Sequence, residues 1–273
     1  MVEFLPDGLS SVIEIDQADC KYQDESVVVQ GVVAEGGASG GWDGHNGDYK
    51  VLTFSFVAWR KPGEPVKRQT MTVLRPVKDF DPHWGSYEGY SVIRVRVRLS
   101  TDEFRAVYEE ALPLDGPDAE LNAVATQLQQ DVVISHDTFG EFKLDRRMDW
   151  FEAEVNWNGE EIRLTMEAFD DAIDPGFMAT AEELWNRQSF WKKRIEDFVV
   201  QELLELKNDN WLDDDEDEVS PEEFVERIWI SSVSVQENGD FVFWYDDGNL
   251  FWDHAIEVEG NIQTGLSRAN IAG

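Results

Sequence analysis

A single cysteine, Cys20, stands in a chain of 273 residues. No intramolecular disulfide can therefore form and no Cys-rich zinc motif can be assembled, which fits a reducing compartment. Long apolar runs are missing too: no stretch approaches the roughly 18 apolar residues of a membrane span. The opening residues, MVEFLPDGLS, lack the basic and apolar segments of a leader. A cytoplasmic location is expected, with no membrane partner. Positive charge is scarce, at 23 basic against 57 acidic side chains for a formal net charge of −34. Nucleic acid and anionic lipid demand the opposite sign, so both are excluded as bulk electrostatic partners, whereas a basic protein would be drawn in. The same charge also keeps a protein soluble.

Reaction signatures are equally sparse. The four histidines, His45, His83, His136 and His254, are scattered, and no H-E-x-x-H pair occurs. Ser39 lies in a G-x-S-x-G match from Gly37 to Gly41, but helix-poor residues follow it where a nucleophile elbow needs a helix. The acidic run Asp213 to Glu218 does not fit a calcium loop. An EF-hand begun at Asp213 would put Glu218 where the turn needs glycine and Phe224 where a bidentate carboxylate belongs. No catalytic residue, metal or cofactor is assigned.

What the chain does have is aromatic residues, concentrated near its end. Six of the twelve residues from Phe241 to Trp252 are aromatic, inside the stretch Asp240 to Gly260. Alternation puts Phe241, Phe243 and Tyr245 on one face and Val242, Trp244 and Asp246 on the other. Asp247-Gly248 favours a two-residue turn with positive φ at both positions, so a tight hairpin supplying much of a core is expected.

The chain reads as two domains, 1–130 and 131–273, in an α+β fold of antiparallel sheets with packed helices. The first is β-rich, with strands at Val27–Val33, Val51–Trp59, Gln69–Leu74 and Tyr90–Leu99 between Gly, Pro and Asp clusters. A glycine-rich loop covers Glu35 to Asp48. Arg94, Arg96 and Arg98 line one strand face, either solvated, paired with carboxylates across the sheet, or holding an anion. Thr101–Leu112 has helical spacing with Thr101 as N-cap, and Asp118–Gln130 forms a helical linker.

The second domain carries 36 acidic against 11 basic side chains. Three strands open it, at Phe139–Leu144, Phe151–Trp157 and Ile162–Ala168, the last two joined by an Asn158-Gly159 turn. A capping box at Thr180–Glu183 starts a helical region reaching about Lys207. It breaks near Asn186–Ser189 and has a stripe of Trp191, Ile195, Phe198, Val199 and Leu206. A second capping box, Ser220–Glu223, starts a short helix. Ile228–Val235 and the aromatic hairpin close the chain, giving a β-β-β-α-α-β-β-β order.

Two aromatic and three polar residues near the hairpin turn are candidate ligand-binding groups. Trp244 and Trp252 could form a platform, and Asp246, Asp247 and His254 could gather as hard-cation ligands or an acid and base pair. Each has a purely structural counterpart, in the core or in the turn.

The residues Phe139-Gly-x-Phe-x-Leu-Asp-Arg146, Asp149-Trp-Phe-Glu152, Trp157-Asn-Gly159, Glu205-Leu-Lys-Asn208, Asp240 to Gly248, Phe251-Trp-x-His254 and Asn270-Ile-Ala-Gly273 together resemble the bacterial domain-of-unknown-function family numbered 2262. The likeness covers the second half. Where that family usually has glycine, this chain has Asp253. The resemblance implies no activity, and analogy with small acidic bacterial domains that lack catalytic motifs points to an immunity or interaction protein. The leading expectation is thus a non-enzymatic interaction protein, an antagonist or immunity protein holding a basic partner. The alternative is a cation-dependent enzyme or small-ligand module built on Asp246, Asp247 and His254.

Overall fold

The structure, a computed structural model, describes residues 21–42, 50–77, 87–213 and 216–273. Cys20, His45, His83 and much of the glycine-rich loop lie outside the described residues. The chain divides into two compact units, Met1–Gln130 and Asp131–Gly273. Among the described residues no helix is long and apolar enough to cross a membrane.

The first unit is β-rich. Its strands are β1 (Val27–Val33), β2 (Ser39–Trp42), β3 (Lys50–Arg60), β4 (Met71–Val77), β5 (Val92–Leu99) and β6 (Arg105–Leu112). They pair in the order β1-β5-β6-β4-β3-β2, and β1 also pairs with β3, so five strands close into a ring. Closure leaves those five without free edges, and their alternating apolar residues fill the interior with Val29, Phe54, Phe56, Trp59, Val95 and Val97. Gly31 is required where β1 meets β3, because a Cβ there would run into the Phe56 ring and the Ala58 carbonyl. Helix α1 (Ala119–Leu128) covers Val32 and Ala58 with Leu121, Val124 and Ala125. Its start is set by Asp118, whose carboxylate accepts from the amides of Glu120 and Leu121 and pairs with Arg60.

The helix expected over Thr101–Leu112 is instead a turn followed by β6. Asp102 accepts from the Phe104 amide at 3.1 Å and Glu103 adopts φ +62°, which places Phe104 outward at 56% exposure. From Arg105 the backbone pairs antiparallel with β5 and parallel with β4. Two ladders outweigh a short run's helical spacing, since β propensity is dominated by the neighbours a strand packs against. The arginine face of β5 is paired across that ladder: Arg96 with Glu110 at 2.7 Å, Arg98 with Glu109 at 3.2 Å, and Arg94 with Asp115 just beyond β6.

The second unit is α+β. Strands β7 (Val133–His136), β8 (Gly140–Asp145), β9 (Trp150–Trp157), β10 (Glu160–Phe169) and the short β11 (Ala172–Ile173) precede three helices. These are α2 (Pro175–Asn186), α3 (Gln188–Asn210) and α4 (Pro221–Arg227). Strands β12 (Trp229–Val235), β13 (Asp240–Asp246), β14 (Ala255–Asn261) and β15 (Gly265–Ala272) follow. The sheet runs β15-β14-β13-β12-β10-β9-β8-β7, with β11 on β10. Only β10 and β12 pair in parallel, Leu164 opposite Val233, because the helical segment carries the chain back before β12 begins. The core forms where the helices meet Trp157, Leu164, Val233, Phe241 and Phe243.

The expected β-β-β-α-α-β-β-β order is therefore extended by the strands β7, β11 and β15, while the helical region expected to break near Asn186–Ser189 is the pair α2 and α3, and the short helix expected after Ser220 is α4. The added strands are weakly patterned: β7 has four residues with no buried face, β11 has only two residues, and β15 buries only its first residue. The Asn158-Gly159 turn has φ of +50° and +96°, as two left-handed residues require. Helix α2 starts earlier than its capping box suggests. Asp174 accepts from the Gly176 amide at 2.7 Å and Pro175 opens the first turn, while Thr180 lies inside the helix and donates to the Gly176 carbonyl at 3.0 Å. Ser220 does cap α4, accepting from the Glu223 amide at 3.1 Å. On α3 the buried stripe is Trp191, Ile195, Val199, Leu203 and Lys207, so Leu206, at 37% exposure, is on its margin. Strands β13 and β14 pair throughout, Asp246 opposite Ala255. They are joined by an eight-residue loop, Asp247 to His254, and not by the tight Asp247-Gly248 turn.

Candidate functional site

The long connection exists because its own side chains hold it. The Asp247 carboxylate, 1% exposed, accepts from the Asn249 amide at 3.1 Å and the Phe251 amide at 2.6 Å. Asp246 accepts from the Gly248 amide at 3.0 Å. Nδ1 of His254 lies 2.6 Å from the Phe251 carbonyl, and its ring meets Trp211 at 5.4 Å. Gly248, Asn249, Trp252 and Asp253 all adopt left-handed backbone, with φ of +54°, +62°, +57° and +64°. Leu250 and Phe251 are buried by this path, and Trp252 is turned outward at 52% exposure against Trp211, 4.7 Å between ring centroids.

Asp247 and His254 thus converge on the backbone of Phe251, and His254 and Trp252 both touch Trp211. Asp246 stays at the exposed end of β13. Trp244 faces away from Tyr245 on the opposite side of the sheet, half-buried between Ser232 and Glu257. Among the described residues no three carboxylate, imidazole or thiol groups come together to hold a metal ion.

A second group of polar residues ties this loop to the acidic run. Lys207 is buried at the end of the α3 stripe and donates to the Trp211 carbonyl at 2.7 Å and to Glu216 at 2.5 Å. Glu216 also accepts from Arg227 at 2.9 Å, and Arg227 donates onward to the carbonyls of Gly248 and Asn249. Burial alone would raise the Glu216 carboxyl, but the hydrogen bonds from Lys207 and Arg227 bring it down to about 2. One residue of the acidic run is therefore a structural anchor.

The geometry most suited to binding lies on the helical side. A groove of about 460 Å³ runs between α3 and α4, with Val200, Pro221 and Val225 as its floor and Glu196, Asp197, Glu222 and Glu226 as its walls. No basic residue lines it. Among the described residues Glu222 and Glu226 make no ion pair, while Asp197 meets Lys193 at 3.3 Å. Past Glu196 and Val225 the groove adjoins a chamber of about 60 Å³, lined also by Glu160, Lys192, Trp157 and Tyr245. Tyr245 is 5% exposed, and its hydroxyl has no hydrogen-bond partner among the described residues. Burial and the charges of Glu196 and Glu160 push that phenol up. Burial likewise pushes Glu196 above the ordinary glutamate value of 4.5, against the opposing pull of Lys192. The Lys192 ammonium is 3.5 Å from Glu160 and 3.9 Å from Glu196, too long for a strong hydrogen bond to either.

These carboxylates were not singled out in the sequence. Their signal is visible once the helices are placed: Val200 follows Glu196 and Asp197 by four and three positions, and Val225 follows Pro221 and Glu222 by the same spacing. Each helix thus brings apolar and acidic residues together on a single face. A different cleft, of about 790 Å³, opens near the start of α2, where Asp174 is already engaged by the Gly176 amide.

Residues 136–271 match the model of a family described as "Uncharacterized protein conserved in bacteria (DUF2262)". Residues 14–128 match another, "Domain of unknown function (DUF7021)". No curated protein and no solved structure matches.

Proposed function

Starting from a second unit that matches a bacterial family whose description assigns no activity, we propose that this is a non-enzymatic interaction protein. Its acidic second unit holds a basic partner protein, in the manner of an antagonist or immunity protein. The observation that carries this reading is the groove between α3 and α4, where four carboxylates flank an apolar floor and no lining residue is basic. Like charges around a concave surface, two of them, Glu222 and Glu226, without an ion pair among the described residues, attract a partner of opposite sign, raise its encounter rate and suppress acidic competitors. The apolar floor adds contact area that bulk charge does not supply.

The test is affinity capture with the intact protein and with a Glu222→Lys/Glu226→Lys variant, at about 0.05 M and about 0.3 M salt. Basic proteins retained by the parent, lost at the higher salt and lost on charge reversal are the expected result. Partners that are mostly acidic, or held equally by both forms, would overturn the reading.

A further inference from the structure

We propose that the chamber at the inner end of the groove takes the primary ammonium group of a lysine side chain on the partner, held by Glu196, Glu160 and the Tyr245 hydroxyl. This rests on the preceding reading and makes it more specific. The chamber is small, at about 60 Å³. A primary ammonium is a compact point charge with three rotatable donors, whereas the guanidinium of arginine is a rigid planar fork.

The donors and acceptors match in number. An ammonium offers three N–H donors. The chamber offers two carboxylates, of which Glu196 is partly desolvated, and one phenolic oxygen that is otherwise unpartnered. The Tyr245 side chain is 5% exposed, lines the chamber together with Glu196 and Glu160, and has no hydrogen bond to another residue among the described ones, which leaves its phenolic oxygen available to a ligand there. The approach suits the same side chain: Val200, Pro221 and Val225 can cover an aliphatic stem while its charged end passes Glu222 and Glu226. Lys192 is the resident competitor. Its long contacts and half-exposed side chain allow it to turn outward when a second cation enters.

Lysine hexapeptide and arginine hexapeptide, titrated separately into the intact protein by calorimetry, separate this proposal from the broader one. General attraction to an acidic surface does not favour lysine over arginine, so tighter binding of the lysine peptide, by about tenfold, is the expected result. Tyr245→Phe keeps the ring in the core and is expected to abolish the preference while leaving salt-dependent binding of both peptides. Lys192→Met is expected to strengthen lysine binding. Equal or tighter binding of the arginine peptide, or a preference unchanged in Tyr245→Phe, would overturn the chamber's role and leave the basic-partner reading standing. Failure of both peptides to bind would overturn both.

Discussion

Lys207 ends the buried stripe of α3 and places its ammonium 2.5 Å from Glu216, inside a stretch of chain that is otherwise almost wholly acidic. A fully buried lysine is rare unless paired, and here the pairing carboxylate also takes Arg227 at 2.9 Å. The ion triad closes the chain after α3 and, through Arg227, fixes the loop that leads out of β13.

A pH dependence of stability follows from Glu216. Its folded value, about 2, lies below the ordinary 4.5. The unfolded chain therefore takes up the proton first as pH falls, and the contribution of Glu216 is complete above about 4.5 and lost progressively toward 2. Thermal unfolding of Glu216→Gln should show a lower midpoint than the parent at pH 7 and a gap that narrows in that acid window. Removing the carboxylate leaves Lys207 buried without its anion, so a loss of about 3–5 kcal/mol at neutral pH is expected.

Asp247 should be a second fixed point. Its buried carboxylate satisfies the amides of Asn249 and Phe251. Asp247→Ala would leave both donors unpaired, at about 1–3 kcal/mol each. Chemical denaturation should show Asp247→Ala destabilised by a few kcal/mol and Asp247→Asn by less, because the amide oxygen can still accept one of the two bonds.

Asp253 should behave in the opposite way. At φ +64° it occupies a conformation that glycine adopts without steric penalty, and glycine is what the resembling family usually carries there. Asp253→Gly is expected to be neutral or more stable by about 0.5–1 kcal/mol, the relief of strain being partly offset by the freer unfolded chain. Clear destabilisation in denaturant titration would mean that the carboxylate contributes a contact of its own.

The behaviour of this loop shows where sequence patterns stop being sufficient. Alternation from Phe241 to Tyr245 separated the two faces of β13, and the packing of Phe243 on Trp157 and of Phe241 on Trp191 decides which of them is the core face. Asp247-Gly248 misled, since the same pair that favours a two-residue turn can also begin a longer loop when the aspartate finds amides further on. Thr180 misled similarly: a hydroxyl three residues before a glutamate fits a cap, but Asp174-Pro175 had already started the helix. The groove was illegible for a different reason. Glu196, Asp197, Glu222 and Glu226 come from two helices, and the apolar spacing within either one does not reveal that the two acidic faces meet. Charge counts located the acidity in the second half, but only packing gathered part of it around Val200 and Val225.

Glu196 gives the groove a pH signature of its own. Burial holds its carboxyl above 4.5, with Lys192 and Lys193 opposing that shift and Asp197 and Glu160 reinforcing it. Glu222 and Glu226 line the groove with Glu196, and Tyr245 lines the neighbouring chamber with it. In the folded protein alone, a raised carboxyl contributes stability at low pH that is lost as pH rises through its folded value, the reverse of Glu216. A bound ammonium favours the ionised carboxylate, so binding should expel a proton and strengthen as pH rises through that value. Lysine hexapeptide affinity is therefore expected to climb as pH rises beyond the ordinary glutamate value of 4.5, and calorimetry in two buffers of different ionisation enthalpy should register proton release. Glu196→Gln should weaken binding and flatten the pH profile in that range, and it should raise the stability of the free protein at pH 7. A profile identical to the parent's would show that the ammonium is bound without Glu196.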